Sequence, residues 1–481
     1  MPLVLLALAL LHLAIGASIG LSVDEAHYLL YAAHPDWSYF DHPPLVGWIQ
    51  WPLVALDAPV WLARALPGAL WLLSAWGIFH VTARLQPFRR EAGLWALAAF
   101  ALAPVIHVLG IGLVPDTLLM ALSIWTMALT LHMVRQPALA DWRWWLLLGL
   151  ALGLAGLSKY TAVLLAVPVV LCLLLRDGAG LLLQARVWAA LLVALLVVAP
   201  VFWWNAQHDW VSFKYQAQHG SGGSWEALNV LRFLLIQAFA YGPLLLAGCM
   251  ATGVLQPWRW RWFFLIPFGV LAYMAGGGVS LPHWSAPAWV CMAPFAGEVL
   301  ARAWAAGRRR WIAALALLQA LICAAMLAIT LSAGAPLFSR TLLVTPEGDN
   351  PFSDLFGWDA AGERARALAK AQGLSSVSVQ NWTLASRLGW YVRPIPVHVL
   401  DTGYSQFSIW AGDLPVAAST LLVDNSLLAF ETPLGPRGFA DCQLLETLDA
   451  RNGGAPVARF RFYACHGWAG DPQPRNREPG P

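Results

Sequence analysis

Charged residues are scarce in this chain of 481 residues, since Asp, Glu, Lys and Arg together make up only 11% of it. A soluble domain carries about 25% charged residues, so an ordinary water-soluble fold is excluded. Hydrophobic residues make up 59% of the chain, and its 28 tryptophans suit the interfaces of a membrane with water. The composition therefore predicts a polytopic α-helical membrane protein.

The sequence also lacks the patterns that are typical of proteins binding nucleic acids or nucleotide sugars. The net charge is only +3 and no basic stripe is present, which argues against a nucleic acid partner. No convincing glycine-rich phosphate loop or Rossmann segment occurs, so a nucleotide-sugar site is not expected. The sequence also shows no internal repeat of the solenoid kind.

Long apolar runs define the predicted topology, because a helix needs about 20 mainly apolar residues to cross a bilayer. About eleven runs qualify or nearly do, at 2–20, 61–83, 92–111, 115–134, 142–157, 161–175, 187–204, 231–255, 262–279, 285–300 and 311–331. The first run lacks a basic n-region, and it is predicted to be a retained helix rather than a signal peptide.

The arginines predict the orientation of these helices. They follow the even-numbered runs, which should therefore end in the cytoplasm, at Arg84, Arg89, Arg90, Arg135, Arg143, Arg176, Arg186, Arg259, Arg261, Arg302, Arg308, Arg309 and Arg310. The N-terminus is then cytoplasmic, and an odd number of spans places the tail on the outer side. We expect a multi-pass protein of the bacterial inner membrane with a periplasmic tail.

The polar tail predicts a separate domain. We expect a membrane domain over 1–333, a small periplasmic α/β domain over 334–468 and a disordered end over 469–481. A helix is predicted over 359–372, and short strands are predicted over 376–380, 397–400, 421–424 and 459–464. Cys442 and Cys465 could form a disulfide if this domain is outside the cytoplasm, and the sequence leaves that open.

Segment 22–44, SVDEAHYLLYAAHPDWSYFDHPP, places acids, histidines, aromatics and prolines directly behind the first apolar run. The predicted topology puts this segment and four later polar motifs on the outer side of the membrane. Charge close to the bilayer is costly and usually serves a function. The ionisable and polar residues of these loops therefore predict one shared site, and they include Asp24, Glu25, His27, His34, Asp36, Asp41, His42, Asp116, Lys159, Tyr160, Asn205, His208, Asp209, Lys214, His283 and Trp284.

Group transfer is the chemistry that such a cluster favours. A carboxylate can deprotonate an acceptor hydroxyl, and a cation can offset the charge on a departing phosphate. Asp24, Glu25 and Asp116 could instead hold a divalent cation through oxygen ligands.

Each of these residues also has a structural interpretation. Asp24 could cap a helix, and Asp116 could be a first-turn acid that the helix dipole favours. Lys159 could extend to the interface, and His283 could be an ordinary loop histidine. Four histidines within or at the ends of spans are interpreted as structural, namely His12, His80, His107 and His132.

The first-loop sequence DEAHYLLYAAHPDWSYFDHPPLVGW resembles the first outer loop of bacterial glycosyltransferase family 39, which is related to protein O-mannosyltransferases and to the lipid A aminoarabinose transferase. Further motifs resemble segments of this group in the same order, namely VPDTLLM, GLSKYTAVLL, PVFWWNAQHDWVSFKYQ, LPHWSAPAW and DLFGWDAA. The resemblance implies a GT-C fold, an outward-facing site, a polyprenyl-phosphate sugar as donor, and inversion at the anomeric carbon.

The resemblance also implies roles for individual residues. Asp24 would be the general base and Glu25 its partner, while Asp116 would correspond to the acid of the second outer loop. Lys159, His42 and Arg64 would face the donor phosphate, and Tyr160 and His283 are further substrate-binding candidates. His42 departs from the pattern, because the aminoarabinose transferases have lysine before the two prolines, and histidine is cationic only part of the time near neutral pH.

Three functions are compatible with these observations. The first is a membrane glycosyltransferase that transfers a sugar to lipid A, another envelope glycan or a protein. The second is a transporter or flippase of lipid-linked glycans, which should carry ionisable groups near the bilayer midplane and two similar halves. The third is a non-catalytic scaffold, which would leave the acids of the outer loops unexplained.

Overall fold

The computed structural model describes residues 1–135, 141–221, 223–250, 258–278, 280–332, 354–426, 431–452 and 455–470. The chain forms two compact units. The first unit comprises Met1–Ala14 and Pro35–Ala325, and the second comprises Ile15–His34 and Met326–Pro481. The predicted boundary at 333/334 and most of the predicted disordered end lie outside the described residues, and both stay predictions.

Helices dominate the membrane part of the chain, as the composition predicts. In chain order they are α1 Pro2–Ser18, α2 Val23–Ala33, α3 Leu45–Trp48, α4 Trp51–Ala55, α5 Val60–Ala63, α6 Ala65–Leu85, α7 Arg90–Ala101, α8 Pro104–Ile111, α9 Pro115–Arg135, α10 Trp142–Ser158, α11 Val163–Asp177, α12 Ala185–Gln207, α13 Val211–Ser221, α14 Ala227–Leu246, α15 Trp262–Ala275, α16 Ala286–Ala305 and α17 Arg309–Leu331. Short 3-10 turns lie between several of them, at Tyr160–Ala162, Ala179–Leu183, Ala247–Met250, Trp258–Arg261 and Pro282–Ser285.

Six helical segments among the described residues are long and apolar enough to cross a membrane. Two further pairs, α1 with α2 and α7 with α8, pass the same test together but are sharply bent, by 86° and 73°. Helix α10 is a shorter apolar helix of 17 residues. The chain is therefore a polytopic helical membrane protein, while the count of about eleven spans stays a prediction.

Helix α14 shows how the first unit tolerates a broken helix. Gly242 has φ +71°, outside the helical region, and Pro243 follows it. Gln319 of α17 fills the break: its Nε2 donates to the Tyr241 carbonyl at 3.1 Å and its Oε1 accepts from the Leu244 amide at 3.4 Å. Backbone polar groups freed inside a membrane must find partners within the protein, and this glutamine supplies them.

A five-stranded mixed sheet is the centre of the second unit, with strand order β2-β1-β3-β5-β4. Its strands are β1 Val377–Val379, β2 Val397–Val399, β3 Thr420–Asn425, β4 Phe439–Asn452 and β5 Ala455–Trp468. Strand β1 pairs in parallel with β2 and β3, while β5 pairs antiparallel with β3 and β4. Three helices accompany the strands, namely α18 Trp358–Ala371, α19 Trp382–Val392 and α20 Gln406–Trp410.

The helix and the four strands that the sequence predicts in the tail all correspond to observed elements. The predicted helix over 359–372 corresponds to α18, which is followed by Gly373 at φ +65°. The four predicted strands correspond to β1, β2, β3 and part of β5. Strand β4 and helix α19 were not predicted. Most residues of β4 are not buried, so this strand lacks the alternation of apolar and polar residues that would reveal it.

Cys442 and Cys465 form a disulfide in the second unit. They lie directly opposite each other on β4 and β5, and Cys465 is fully buried. The bond closes a loop between two cysteines that are 23 positions apart in the sequence. It links an edge strand to the interior of the sheet.

Removing this disulfide tests its contribution to the second unit. We expect Cys442→Ser with Cys465→Ser to destabilise that unit by about 3 kcal/mol, because the closed loop restricts the unfolded chain. Hydrogen exchange of peptides from β3, β4 and β5 would measure the change. Cys249→Ser is the control, since Cys249 is exposed and has a free thiol. Unchanged protection of β4 and β5 in the double variant would contradict the prediction.

Helix α2 belongs to the second unit because elements of the tail hold its start. The Gly20 amide donates to the Leu355 carbonyl at 2.8 Å, and the Val23 amide donates to the Asp354 carboxylate. Asp354 also forms an ion pair with Arg387 of α19. One turn further along, His27 Nδ1 lies 3.0 Å from Ser386 Oγ of the same helix. The sequence assigned this segment to the membrane domain, and these contacts place it with the tail.

Gly20 allows this close approach of two backbones. A Cβ atom at position 20 would lie 2.3 Å from the Leu355 carbonyl oxygen, so Gly20→Ala must move one backbone away from the other. We expect a loss of about 1–3 kcal/mol in the stability of the second unit, the usual cost of overpacking, measured by hydrogen exchange of peptides from 355–392. Gly269→Ala is the control, because its new Cβ would meet no atom within 4 Å. Equal exchange in both variants would contradict this account.

Candidate functional site

A buried ion pair joins two of the predicted site residues in the first unit. Lys159 Nζ donates to both carboxylate oxygens of Asp116, at 2.8 Å and 2.7 Å. Only 2% of Asp116 and 6% of Lys159 is exposed. Asp116 lies in the first turn of α9, and Lys159 directly follows the last residue of α10. The pair therefore brings the second and third predicted outer loops together at one end of these two helices.

The fifth predicted outer loop also reaches this ion pair. His283 Nε2 lies 3.7 Å from Asp116 Oδ2, and the Lys159 ammonium lies 5.3 Å from the centre of the Trp284 ring. An ammonium near an aromatic face is attracted by the ring quadrupole. Lys159 has three N–H donors and Asp116 accepts two of them, so within the part of the chain that the structure describes one donor remains for a further acceptor.

A polar network holds the loop of His283 in place, and the sequence analysis missed it. The Tyr241 hydroxyl donates to the Pro282 carbonyl at 3.0 Å. Ser285 Oγ and Trp289 Nε1 both donate to Gln237 Oε1, at 2.5 Å and 3.1 Å. Gln237 is an isolated polar residue in an apolar run, which was a usable signal because polar groups inside spans are costly.

The first and fourth predicted outer loops are joined to each other within the first unit. Ser212 Oγ donates to the Tyr39 carbonyl at 2.8 Å, and Gln216 Nε2 donates to the Asp41 carbonyl at 2.6 Å. Trp204 Nε1 donates to Asp36 Oδ2 at 2.8 Å. These contacts give the first loop a defined path between α2 and α3.

Tyr160 lies next to this junction of loops. Its buried hydroxyl is close to Ser38, Asn205 and Ser212, but it makes no hydrogen bond of normal geometry with the described residues. Of the remaining candidates, His42 lies two residues before Pro44, the cap of α3, and Arg64 is buried at the start of α6. The ion pair and the His283 contact thus join Asp116, Lys159 and His283 directly. Tyr160, His42 and Arg64 lie in other segments of the first unit.

Asp24 and Glu25 lie in the first turn of α2, in the second unit. Glu25 and Ser22 form a capping box: Glu25 Oε2 accepts from the Ser22 hydroxyl at 2.9 Å and from its amide at 3.1 Å, while the Glu25 amide donates to Ser22 Oγ at 3.4 Å. Such a box satisfies backbone donors at a helix start. Glu25 therefore fixes the start of α2, while Asp24 is only partly buried. The catalytic roles of both acids stay predictions.

Charged groups of the tail surround these two acids. Arg387 attracts Asp24 as well as its ion-pair partner Asp354. Burial raises the pKa of the Asp354 carboxyl, and the attraction of Arg387 partly offsets this. Burial also lowers the pKa of the Arg387 guanidinium. Sequence reasoning did not identify Arg387, although Asp354 begins the recognised motif DLFGWDAA.

The side chains that the structure describes do not form a set of ligands for the predicted divalent cation. Among the described residues, no group of three or more His, Cys, Asp or Glu side chains is placed to hold a metal ion. The candidates Asp24 and Glu25 belong to the second unit, whereas Asp116 belongs to the first. Both Asp116 oxygens accept from the Lys159 ammonium, so a cation there would compete with a charge already present. The divalent cation stays an untested prediction.

Comparison with known proteins gives one family match and one curated relative. The profile described as dolichyl-phosphate-mannose-protein mannosyltransferase matches residues 41–204. The lipid A galacturonosyltransferase RgtD of Rhizobium johnstonii is 26% identical over 390 residues, which cover 77% of this chain and 77% of the relative.

Two solved structures have a similar fold. ArnT from Cupriavidus metallidurans, in the apo state, matches with a TM-score of 0.55 and 17% identity over 88% of this chain and 92% of that chain. The arabinofuranosyltransferase AftD from Mycobacteria matches with a TM-score of 0.50 and 17% identity, over 96% of this chain but only 41% of that chain. Both are GT-C fold neighbours of this chain.

These comparisons confirm the resemblance found in the sequence: the chain is similar to the membrane glycosyltransferases of family 39 and of the aminoarabinose transferase group, and its fold is a GT-C fold.

Proposed function

We propose that this protein is an inverting glycosyltransferase that moves a sugar from a polyprenyl phosphate to a hydroxyl or phosphate of an acceptor. The observation that carries the proposal is the buried Asp116–Lys159 ion pair with His283 beside it. Burying charge in a membrane bundle is costly and usually serves function. A phosphate-linked donor that arrives within the bilayer is a suitable ligand for such a cation.

The reaction we propose is a single displacement. Asp24 takes the proton of the acceptor hydroxyl, and the acceptor oxygen attacks the anomeric carbon on the face opposite the phosphate. The bond from that carbon to the phosphate oxygen breaks, so the sugar configuration inverts and polyprenyl phosphate leaves with the bonding electrons. Lys159 directs its remaining N–H at the leaving phosphate, and His283 adds a second donor when it is protonated.

Burying either charge of the ion pair alone would be costly, and the pairing compensates both. Asp116 thereby holds the Lys159 ammonium at the position where we propose the donor phosphate binds. In this account Asp116 is a positioning residue, and Lys159 contacts the donor.

We propose that the site faces the periplasm from the inner membrane, with about eleven spans and a periplasmic tail domain. Two observations support this orientation. Arginines are concentrated after the even-numbered spans, as expected of cytoplasmic loops. The tail contains the Cys442–Cys465 disulfide, and disulfides persist in oxidising compartments such as the periplasm.

Lipid A is the acceptor to test first, because the similar protein RgtD is described as a lipid A galacturonosyltransferase. Mass spectrometry of lipid A and other envelope glycans from a strain that lacks this protein should reveal one missing sugar. The same sugar, supplied on a polyprenyl phosphate, should then be transferred by the purified protein without any ion gradient. Gradient-dependent movement of the lipid without sugar transfer would instead support the transporter alternative, which no observation here favours.

Lys159→Met tests the phosphate-binding role separately from the structural one. Removing one partner of a buried ion pair should cost about 3–5 kcal/mol of stability, because the Asp116 carboxylate loses its cation. Adding Asp116→Asn removes that charge and should restore most of the thermal stability. We expect turnover of the polyprenyl-phosphate sugar to stay lost in the double variant.

The control for this pair of variants is Lys370→Met, which changes an exposed lysine of α18 and should affect neither stability nor turnover. Recovery of both stability and turnover in the double variant would show that Lys159 serves the fold alone.

Asp24→Asn tests the general base. We expect turnover to fall by about 10²–10⁴-fold, the usual contribution of a positioned base, while the melting temperature stays close to that of the unchanged protein. Asp57→Asn is the matched control, because Asp57 is exposed and its φ of 49° suits asparagine as well as aspartate. Wild-type turnover in Asp24→Asn would reject the base assignment and leave the transferase activity standing.

A further inference from the structure

A cavity lies in the first unit near the end of α9 that is opposite Asp116. It has a volume of about 360 Å³ and opens between α6, α9 and α10, and the residues that line it include His80, Arg84, Trp125, His132, Trp144 and Leu147. His132 is sixteen positions beyond Asp116 on α9, which corresponds to about 24 Å along the helix axis. The cavity is therefore separate from the ion pair proposed to bind the donor.

Arginines are concentrated around this cavity, and two histidines lie beside them. Arg84 lines the cavity together with His80 and His132, and Arg143 lies within electrostatic range of His132. Arg135 donates to the Arg84 carbonyl at 2.6 Å. Asp141 is the acid beside them, and it is occupied: its carboxylate pairs with the Arg143 guanidinium at 2.5 Å and accepts from the Arg143 amide at 3.0 Å.

A buried ring nitrogen at the cavity is also available for a hydrogen bond with a ligand. His132 Nε2 is buried and has no hydrogen-bond partner among the described residues. The ring of His132 lies 4.3 Å from that of Trp144, and the ring of His80 lies 5.6 Å from that of Trp125. A buried nitrogen without a partner is costly, and an acceptor atom of a ligand in the cavity would satisfy it when Nε2 carries the proton.

The other part of the cavity is apolar and adjoins an apolar surface. Leu122, Ala128 and Ala151 contribute to the lining. The neighbouring faces of α6 and α10 expose large hydrophobic side chains, with 62% of Trp76, 41% of Phe79, 44% of Leu147 and 40% of Leu150 accessible. In a helix that crosses a membrane, such a surface contacts lipid chains. The cavity thus has a cationic end and an apolar end that continues into a lipid-facing surface.

We propose that this cavity binds a glycerophospholipid with an anionic headgroup, and that the lipid is not a substrate. Basic pockets between membrane helices bind anionic headgroups, and the volume lies within the range of about 300–1,000 Å³ that is usual for ligand sites. Arg84 and His132 receive the phosphodiester, and the acyl chains follow the exposed apolar faces. The lipid ties together the ends of α6, α9 and α10, whereas Asp116 and Lys159 lie at the opposite ends of α9 and α10.

The proposal is tested by thermal unfolding and native mass spectrometry of the purified full chain, with phosphatidylglycerol and phosphatidylethanolamine added separately. We expect phosphatidylglycerol to raise the melting temperature and to remain bound, and phosphatidylethanolamine to do so much less. Arg84→Gln should weaken phosphatidylglycerol binding about fivefold, the loss expected for one arginine near an anionic lipid. Arg310→Gln is the matched control, because Arg310 is exposed at the start of α17 and does not line the cavity.

Ala151→Trp provides a second variant that leaves every charge in place. Its larger side chain should fill part of the cavity and reduce phosphatidylglycerol retention without changing the headgroup contacts. Equal effects of the two phospholipids, or full retention in both Arg84→Gln and Ala151→Trp, would overturn the proposal. Stabilisation by polyprenyl phosphate but not by phosphatidylglycerol would also overturn it, because the cavity would then serve the carrier lipid.

Discussion

The Asp116–Lys159 ion pair is the interaction on which the candidate site of the first unit depends. Each charge would be unfavourable alone in a buried position of a membrane bundle, and each makes the other tolerable. Because Asp116 lies in the first turn of α9 and Lys159 directly follows α10, the pair also fixes the relative position of two helix ends. His283 and Trp284 then meet the same two side chains from a third segment. One electrostatic contact thereby organises three loops.

In the second unit, a helix cap, backbone hydrogen bonds and an ion pair position the acids of α2. Glu25 caps its own helix through Ser22, while Asp354 and Leu355 accept hydrogen bonds from the backbone at the start of α2. Arg387 balances the charge of Asp354 and attracts Asp24. Elements before residue 35 and after residue 353 therefore together surround the predicted general base within the second unit.

Two glutamines inside the apolar part of the chain form hydrogen bonds with groups that are distant in sequence. Gln319 completes the broken helix α14, and Gln237 accepts from Ser285 and Trp289. His132 in the cavity has a buried ring nitrogen without a hydrogen-bond partner among the described residues, as do several other side chains of the bundle. The arginines beside that nitrogen are what separate the cavity from an ordinary packing defect.

The sequence by itself determined the membrane class, most helix positions, the tail strands with an apolar pattern, and the polar motifs that belong together, because hydropathy and helix length are local properties. It also predicted that Asp116 and Lys159 lie on one side of the membrane. Only the tertiary structure decided that these two residues, 43 positions apart, share two hydrogen bonds, that Arg387 faces Asp354, and that α2 joins the tail. Such partners depend on how distant helices pack, and no local pattern carries that information.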